Sequence, residues 1–177
     1  MTMSLKKEKG ETRIIAINKM DVEIEALLYK IEQETKVDRA LVLKFHNGGP
    51  KMFSGVAKYT SVITESHSPT LSSIKQLIQN FPVDRSFMNL LIKLNTDKQL
   101  AVDVNQLDEG SLKRRYIQDG CKTAMLVELV YTESGLYFLD LSGKSDFILS
   151  EGFTKVEQLA NRIRNIYQIA KKQQLLH

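Results

Sequence analysis

The chain has 177 residues, of which 42% are hydrophobic and 26% are charged, and its formal net charge is +4 at pH 7. This composition is ordinary for a soluble globular protein and excludes both wholesale disorder and collagen-like repeats. Its single cysteine, Cys121, excludes an internal disulfide framework and a metal site built from cysteines alone. The length favours one domain, expected at residues 11–177 after a flexible tail at residues 1–10.

No uninterrupted apolar run approaches the roughly 18 residues that a transmembrane helix needs, so no membrane association is expected. The N-terminal segment carries Asp21, Glu23 and Glu25 in place of the apolar core of a signal peptide. We therefore expect a cytoplasmic protein. Basic residues cluster at 6–9, 113–115 and 162–172, but few aromatic residues lie among them, so a nucleic-acid partner is not expected.

The first predicted element is a long amphipathic helix over residues 11–36. Its apolar residues recur at steps of three and four, which is the spacing of one helix face. They are Ile14, Ile17, Met20, Ile24, Leu27, Leu28 and Ile31.

A buried strand is predicted over residues 40–45, followed by a turn at residues 46–50 and a second strand over residues 52–65. Two short helices are expected next, one over residues 71–81 and one that begins after Asp84 as its N-cap.

The last half of the chain predicts a strand over residues 98–104, a short helix over residues 112–118 ended by Gly120, and a hairpin of residues 122–131 and 136–141. Residues 147–149 could extend the sheet. Thr154 and Glu157 have the spacing of a capping box at the start of the final helix. Because the strands are joined mostly by hairpins or by helices clustered in the middle of the chain, this order predicts an α+β protein with an antiparallel sheet.

Three segments resemble the GAF domain family. Residues 123–143 (TAMLVELVYTESGLYFLDLSG) resemble its last two strands, and residues 151–167 (EGFTKVEQLANRIRNIY) resemble its closing helix. Residues 39–49 (RALVLKFHNGG) resemble the first strand and turn of divergent stand-alone GAF-like proteins, several of them encoded by bacteriophages. For a viral source, the expected location is the host cytoplasm.

The resemblance implies a GAF-like α+β fold with a central antiparallel sheet of about five to six strands. Long N- and C-terminal helices would cover one face, and short helices and loops would enclose a small-molecule pocket on the other. The signature of the cyclic-nucleotide binders is not visible, and Cys121 is not in the context of a chromophore cysteine. The free methionine-sulfoxide reductases of the family use several cysteines, so that activity is not expected either.

The turn after the first strand supplies the first candidate ligand residues. Glycines at 48 and 49 let the backbone approach a ligand closely, and His46 and Asn47 offer both donors and acceptors. Phe53 and Ser54 would add an apolar wall and a hydroxyl. The alternative is a tight surface turn with a solvated histidine.

Five further residues complete the expected ligand site. The resemblance implies that Tyr59, Thr64 and His67 lie near the mouth of the pocket. Asp103 is a lone acid in an apolar strand, and it either faces the pocket with a partner or points outward on the polar face, which its alternation with valines favours. Arg115 (or its neighbour, Arg114) could hold a phosphate or carboxylate, or belong to a solvated helix face.

We expect a non-enzymatic small-molecule-binding domain that acts as a homodimer, with an unidentified ligand. GAF domains often dimerise through their terminal helices, and the expected interface residues are Ile17, Ile24, Leu28, Leu159, Ile163 and Ile166. The alternative is a scaffold that binds a protein or nucleic acid through these helix seams or its basic patches. No nucleophile–base pair or metal-ligand spacing is visible, so neither a catalytic residue nor a metal or cofactor is expected.

Overall fold

The computed structural model describes the backbone of residues 2–47 and 58–176 and the side chains of residues 12–47 and 58–176. Its elements are α1 (Thr2–Glu34), β1 (Arg39–His46), β2 (Tyr59–His67), β3 (Phe81–Pro82), α2 (Arg85–Asp97), β4 (Gln99–Asp103), α3 (Ser111–Gln118), β5 (Thr123–Thr132), β6 (Gly135–Gly143) and α4 (Phe153–Lys172). Helix α1 therefore begins at Thr2 and not near residue 11. None of the described helices combines the length and apolar character needed to cross a membrane.

The six strands form one sheet in the order β3-β2-β1-β6-β5-β4. Every neighbouring pair is antiparallel, which confirms the predicted α+β class. The last strand, β6, lies at the centre of the sheet, because it pairs with both β5 and β1. Strands β1 and β6, each buried on both faces along most of its length, therefore lie side by side.

Helices α1 and α4 pack on one face of the sheet. Their buried apolar residues join those of the central strands in one cluster, because side chains three and four apart share a helix face and alternate side chains share a sheet face. The helical members are Ile24, Leu27, Leu28, Ile31, Val156, Leu159, Ala160, Ile163 and Tyr167.

This packing uses most of the apolar residues expected at a dimer interface. Ile24, Leu28, Leu159 and Ile163 are buried within the chain. Ile17 and Ile166 are half-buried. The spacing that favours a helix–helix seam between subunits is the same spacing that packs a helix on its own sheet.

The opposite face of the sheet is covered by α2, α3 and the segment of residues 68–80. Alternate residues of the strands, including Leu41, Leu43, Leu126 and Phe138, form a second apolar cluster there with the α2 residues Phe87, Leu91 and Leu94. This second layer lies over the middle of the sheet, where the cavity described below is enclosed.

The helix predicted over residues 71–81 is wrong. The segment forms turns, and β3 follows it directly. The carboxylate of Glu65 accepts hydrogen bonds from the backbone N–H groups of Ile74 and Lys75 and from the Ser73 hydroxyl. A carboxylate on β2 thus takes the backbone donors that a helix would have used.

Two predictions near the C-terminus are also wrong. Helix α4 begins after Gly152 with no side-chain cap, so Thr154 lies inside the helix and the capping box does not form. Glu157 instead accepts a hydrogen bond from Gln99 at 3.2 Å. Residues 147–149 form a turn and not a strand, since Phe147 is fully buried under α1 and α4 and fixes the chain there.

Candidate functional site

A cavity of about 290 Å³ lies on the sheet face opposite α1 and α4. Strands β1, β2 and β6 form its floor, and residues 74–81, the start of α2, and α3 form its walls. Its size is close to the lower end of the range for small-molecule sites.

One end of the cavity is apolar. Leu41 and Leu43 rise from β1, and aliphatic and aromatic side chains close over them. These covering residues are Ile74, Ile78, Phe81 and Phe87. The Phe87 ring packs edge-on against Phe138 at 6.4 Å between centroids, which holds this wall in place.

The other end of the cavity is polar and is organised by Arg39. This arginine is only 2% exposed, and its guanidinium forms an ion pair with Glu65 and a second with Asp119 at 3.3 Å. It also donates a hydrogen bond to the carbonyl of Ser72 at 2.9 Å. Because two carboxylates and a carbonyl surround it, the guanidinium is stabilised at a depth where an unpaired charge would be costly.

Asp140 and Tyr116 lie beside Arg39. Burial raises the pKa of Asp140 to about 7, although the Tyr116 hydroxyl and Arg39 oppose part of that change. Burial and the nearby Asp140 also raise the pKa of Tyr116 well above its ordinary value. The two side chains therefore interact, although neither Tyr116 Oη nor Asp140 Oδ1 forms a hydrogen bond of normal geometry within the described part of the chain.

Six buried side-chain atoms, all on residues that line the cavity, form no hydrogen bond of normal geometry with the described residues. They are Arg39 Nε, Thr60 Oγ1, Ser111 Oγ, Arg115 Nε, Tyr116 Oη and Asp140 Oδ1. Buried polar atoms are nearly always satisfied in folded proteins, so a group of unsatisfied atoms around one cavity indicates that something else supplies their partners.

The mouth of the cavity lies between α3 and residues 74–81. Arg114 and Leu77 line it and are exposed. Arg115 is held by an ion pair to Asp119 at 3.1 Å, four residues later on the same helix. Asp119 therefore bridges Arg115 at the mouth and Arg39 on the floor.

Of the expected ligand residues, Arg115 lines this cavity. His46, Tyr59 and Thr64 share the register of Val42 and Lys44, so they face the side of the sheet that carries α1 and α4. There His46 Nε2 lies 2.9 Å from the hydroxyl of Ser61, and burial and Lys44 lower the pKa of His46. Strand β1 continues to residue 46, and successive side chains of a strand point to opposite faces of the sheet. His46 therefore lies on the face opposite the cavity.

The remaining expected residues lie elsewhere. His67 ends β2, and its Nδ1 is 3.0 Å from the Ser68 carbonyl oxygen. Asn47 follows β1 and does not line the cavity. Asp103 is exposed, accepts a hydrogen bond from the Asn105 N–H at 2.9 Å, and lines a separate groove of about 310 Å³ outside β4. Phe53 and Ser54 lie outside the described residues.

Four residues at the polar end of the cavity were not among the ligand residues predicted from the sequence: Arg39, Tyr116, Asp119 and Asp140. Asp140 had a visible signal, because it is the one charged residue on β6, whereas Arg39 shares β1 with Lys44 and His46 and does not stand out there. The pairing of β1 with β6 brings them to the same face, and that pairing is not visible in either segment alone.

Comparison with solved structures finds GAF domains over nearly the whole chain. The GAF domain/HD domain protein from Geobacter sulfurreducens aligns with a TM-score of 0.60 at 14% identity, covering 89% of this chain and 95% of that one. The blue-light absorbing PixJ GAF domain of Thermosynechococcus elongatus aligns with a TM-score of 0.62 at 13% identity, covering 90% and 91%. The phycocyanobilin-bound GAF domain from a cyanobacterial phytochrome aligns with a TM-score of 0.57 at 18% identity, covering 91% and 94%.

The fold is that of a GAF domain. The GAF-like arrangement expected from the sequence is confirmed, with six antiparallel strands, both terminal helices on one face, and shorter elements on the other. No protein-family model and no curated protein matches the sequence.

Proposed function

We propose that this protein is a non-enzymatic small-molecule-binding domain, of the sensor or sequestering kind, and that its ligand occupies the 290 Å³ cavity. The observation that carries the proposal is the group of buried, unpartnered polar atoms around that cavity. A ligand that supplied hydrogen bonds to these atoms would satisfy polar groups that the described residues leave without partners.

The GAF fold supports the same proposal, because one of the solved relatives holds phycocyanobilin. We do not extend that ligand to this chain. Its only cysteine, Cys121, does not line the cavity, and burial raises the pKa of its thiol to about 11, so the thiolate that would attach a chromophore is disfavoured.

The alternative, a scaffold that binds only macromolecules, would be favoured by a filled core at this place. The open cavity favours the small-molecule function.

A homodimer stays a prediction, and light scattering of the purified chain tests it. The large apolar residues exposed on the described part of α1 are Ile14, Ile15, Val22 and Tyr29; the last three recur every seven residues along the helix and offer such a surface.

The chain contains no tryptophan, so a single introduced tryptophan reports on its own surroundings. Leu77→Trp places this reporter at the mouth of the cavity, at a position that is exposed and should tolerate the larger ring. We expect the emission of this variant to change when cavity ligands are titrated from a library of small acids, amides, alcohols and amines.

Ile92→Trp is the matched control. Ile92 is also exposed, but it lies on α2 and does not line the cavity. The proposal predicts saturable changes with Leu77→Trp alone. No saturable change with any compound, or the same change in both variants, would contradict it.

A further inference from the structure

We propose that the ligand is a small organic carboxylate with an apolar body, bound with its carboxylate against Arg39, Arg115 and Tyr116. This inference rests on the proposed function and names the class of molecule that the cavity would take.

The cavity is amphipathic along its length. Arg39, Leu41 and Leu43 are alternate residues of β1 and share one face, so the floor changes from charged to apolar over about 13 Å. Phe81 and Phe87 close over the apolar end. A molecule that fits both ends carries a polar head and an apolar body.

The unpartnered atoms at the polar end are mainly donors. Arg39 Nε, Arg115 Nε and Tyr116 Oη each carry a hydrogen, whereas Asp140, when ionised, is the one group among these four that can only accept. A carboxylate has acceptor sites for all three donors, whereas an ammonium group has none. The head group is therefore rich in acceptors.

The charges around the cavity lead to the same head group. Arg39, Arg114 and Arg115 contribute three positive charges, and Glu65 and Asp119 offset two of them. With Asp140 protonated, one positive charge is uncompensated, and one carboxylate neutralises it. With Asp140 ionised, the same set is already neutral.

Asp140 should therefore take up a proton when the carboxylate binds. The charged and titratable groups that face it are Arg39 from β1, Tyr116 and Asp119 at α3, and Cys121 before β5. Once protonated, Asp140 becomes a fourth donor toward the ligand. Since the pKa of Asp140 is about 7 in the free protein, affinity should be constant below pH 7 and fall by up to tenfold per pH unit above it.

The experiment compares three probes with the same body: 3-phenylpropionate, 3-phenylpropanol and 3-phenylpropylamine. Binding to the full chain is measured by calorimetry from pH 6 to pH 8.5, and Leu77→Trp emission reports entry into the cavity. We expect 3-phenylpropionate to bind at least about tenfold more tightly than the alcohol or the amine at pH 6, and its affinity to fall above pH 7.

Asp140→Asn tests whether the pH dependence comes from the titration of Asp140 or only from the shape of its side chain. The amide keeps the size of the carboxylic acid without its charge, so the variant should retain 3-phenylpropionate binding at pH 8.5 with no dependence on pH. Arg114→Gln should weaken 3-phenylpropionate severalfold and leave the alcohol unchanged, whereas Arg85→Gln, at an exposed position that does not line the cavity, should change neither.

Tighter binding of the amine than of the carboxylate, or an affinity for 3-phenylpropionate that does not vary with pH, would overturn the inference. A response of Leu77→Trp to other library compounds with none to 3-phenylpropionate would also overturn it, while leaving the proposed function standing. If the Leu77→Trp emission responded to no compound at all, the proposed function itself would be overturned.

Discussion

Asp140 lies on β6 and is only 4% exposed, and its Oδ1 atom forms no hydrogen bond of normal geometry with the described residues. A carboxylate at this depth without full pairing is costly, and the group responds by holding its proton to a higher pH. Arg39 offsets part of that cost, but its guanidinium is already shared between Glu65 and Asp119.

The elevated pKa of Asp140 predicts how stability depends on pH. An unfolded aspartate releases its proton near pH 4, whereas the folded one keeps it until about pH 7, so the unfolded state is favoured as pH rises between these values. The free energy of unfolding should fall by up to about 1.4 kcal/mol per pH unit in this interval. Asp140→Asn lacks this titration and should be more stable than the native chain at pH 8, by roughly a few kcal/mol.

Denaturant unfolding at pH 5 and pH 8 checks this prediction, with the exposed Asp108→Asn as its control. A stability difference between Asp140→Asn and the native chain that is equal at both pH values would contradict it.

At the scale of single residues, alternation along a strand predicted Asp103 better than Asp140. Strand β4 is exposed on one face, so alternation with valines correctly favoured an outward Asp103. Strand β6 is buried on both faces, so its pattern carries no sign of which face Asp140 occupies. The position of Asp140 in the cavity could therefore not be predicted from the residue pattern of β6.

At the scale of elements, Asp84 joins two helices. Its Oδ1 accepts hydrogen bonds from the Phe87 N–H at 3.0 Å and the Ser86 hydroxyl at 2.9 Å, which caps α2 as the sequence predicted. Its Oδ2 accepts from the backbone N–H of Ser111, the first residue of α3. Burial opposes the charge, but these hydrogen bonds hold the pKa of Asp84 well below its usual range.

The glycine before α3 is explained by the same contact. A Cβ at Gly110 would lie 1.8 Å from Ser86 Oγ and 3.1 Å from Asp84 Oδ2, so a larger residue would require the Ser86 hydroxyl to rotate and the Asp84 carboxylate to shift away from α3.

Asp84→Ala should lower the free energy of unfolding by about 1–3 kcal/mol, because it removes a helix cap and leaves the Ser111 N–H without its acceptor. Thermal unfolding at neutral pH measures the change, and Asp108→Ala is a control in the loop before α3. Equal melting temperatures for the native chain and Asp84→Ala would show that neither helix depends on this carboxylate.

The sequence predicted the long helices and the β5–β6 hairpin because their periodicity extends over many residues. It failed for residues 71–81, whose apolar spacing suits a helix but whose backbone donors bind Glu65 on β2. A contact between segments decided the local structure there. Such contacts are not visible in a window of neighbouring residues.

At the scale of the whole molecule, the antiparallel sheet separates two layers with different roles. The terminal helices fill one face with a continuous apolar core, whereas the shorter elements on the other face leave a cavity. The resemblance predicted this division and a pocket on the second face. It could not identify the residues around that pocket, because they come from strands that pair only in the folded chain.

Chemical-shift mapping on the uniformly ¹⁵N-labelled full chain tests most directly whether that cavity is a binding site. In titrations with the library of acids, amides, alcohols and amines, we expect saturable shifts at the backbone amides of residues 39–43, 111–119 and 140–142. Shifts confined to α1 and α4, or an absence of saturable shifts with every compound, would contradict it.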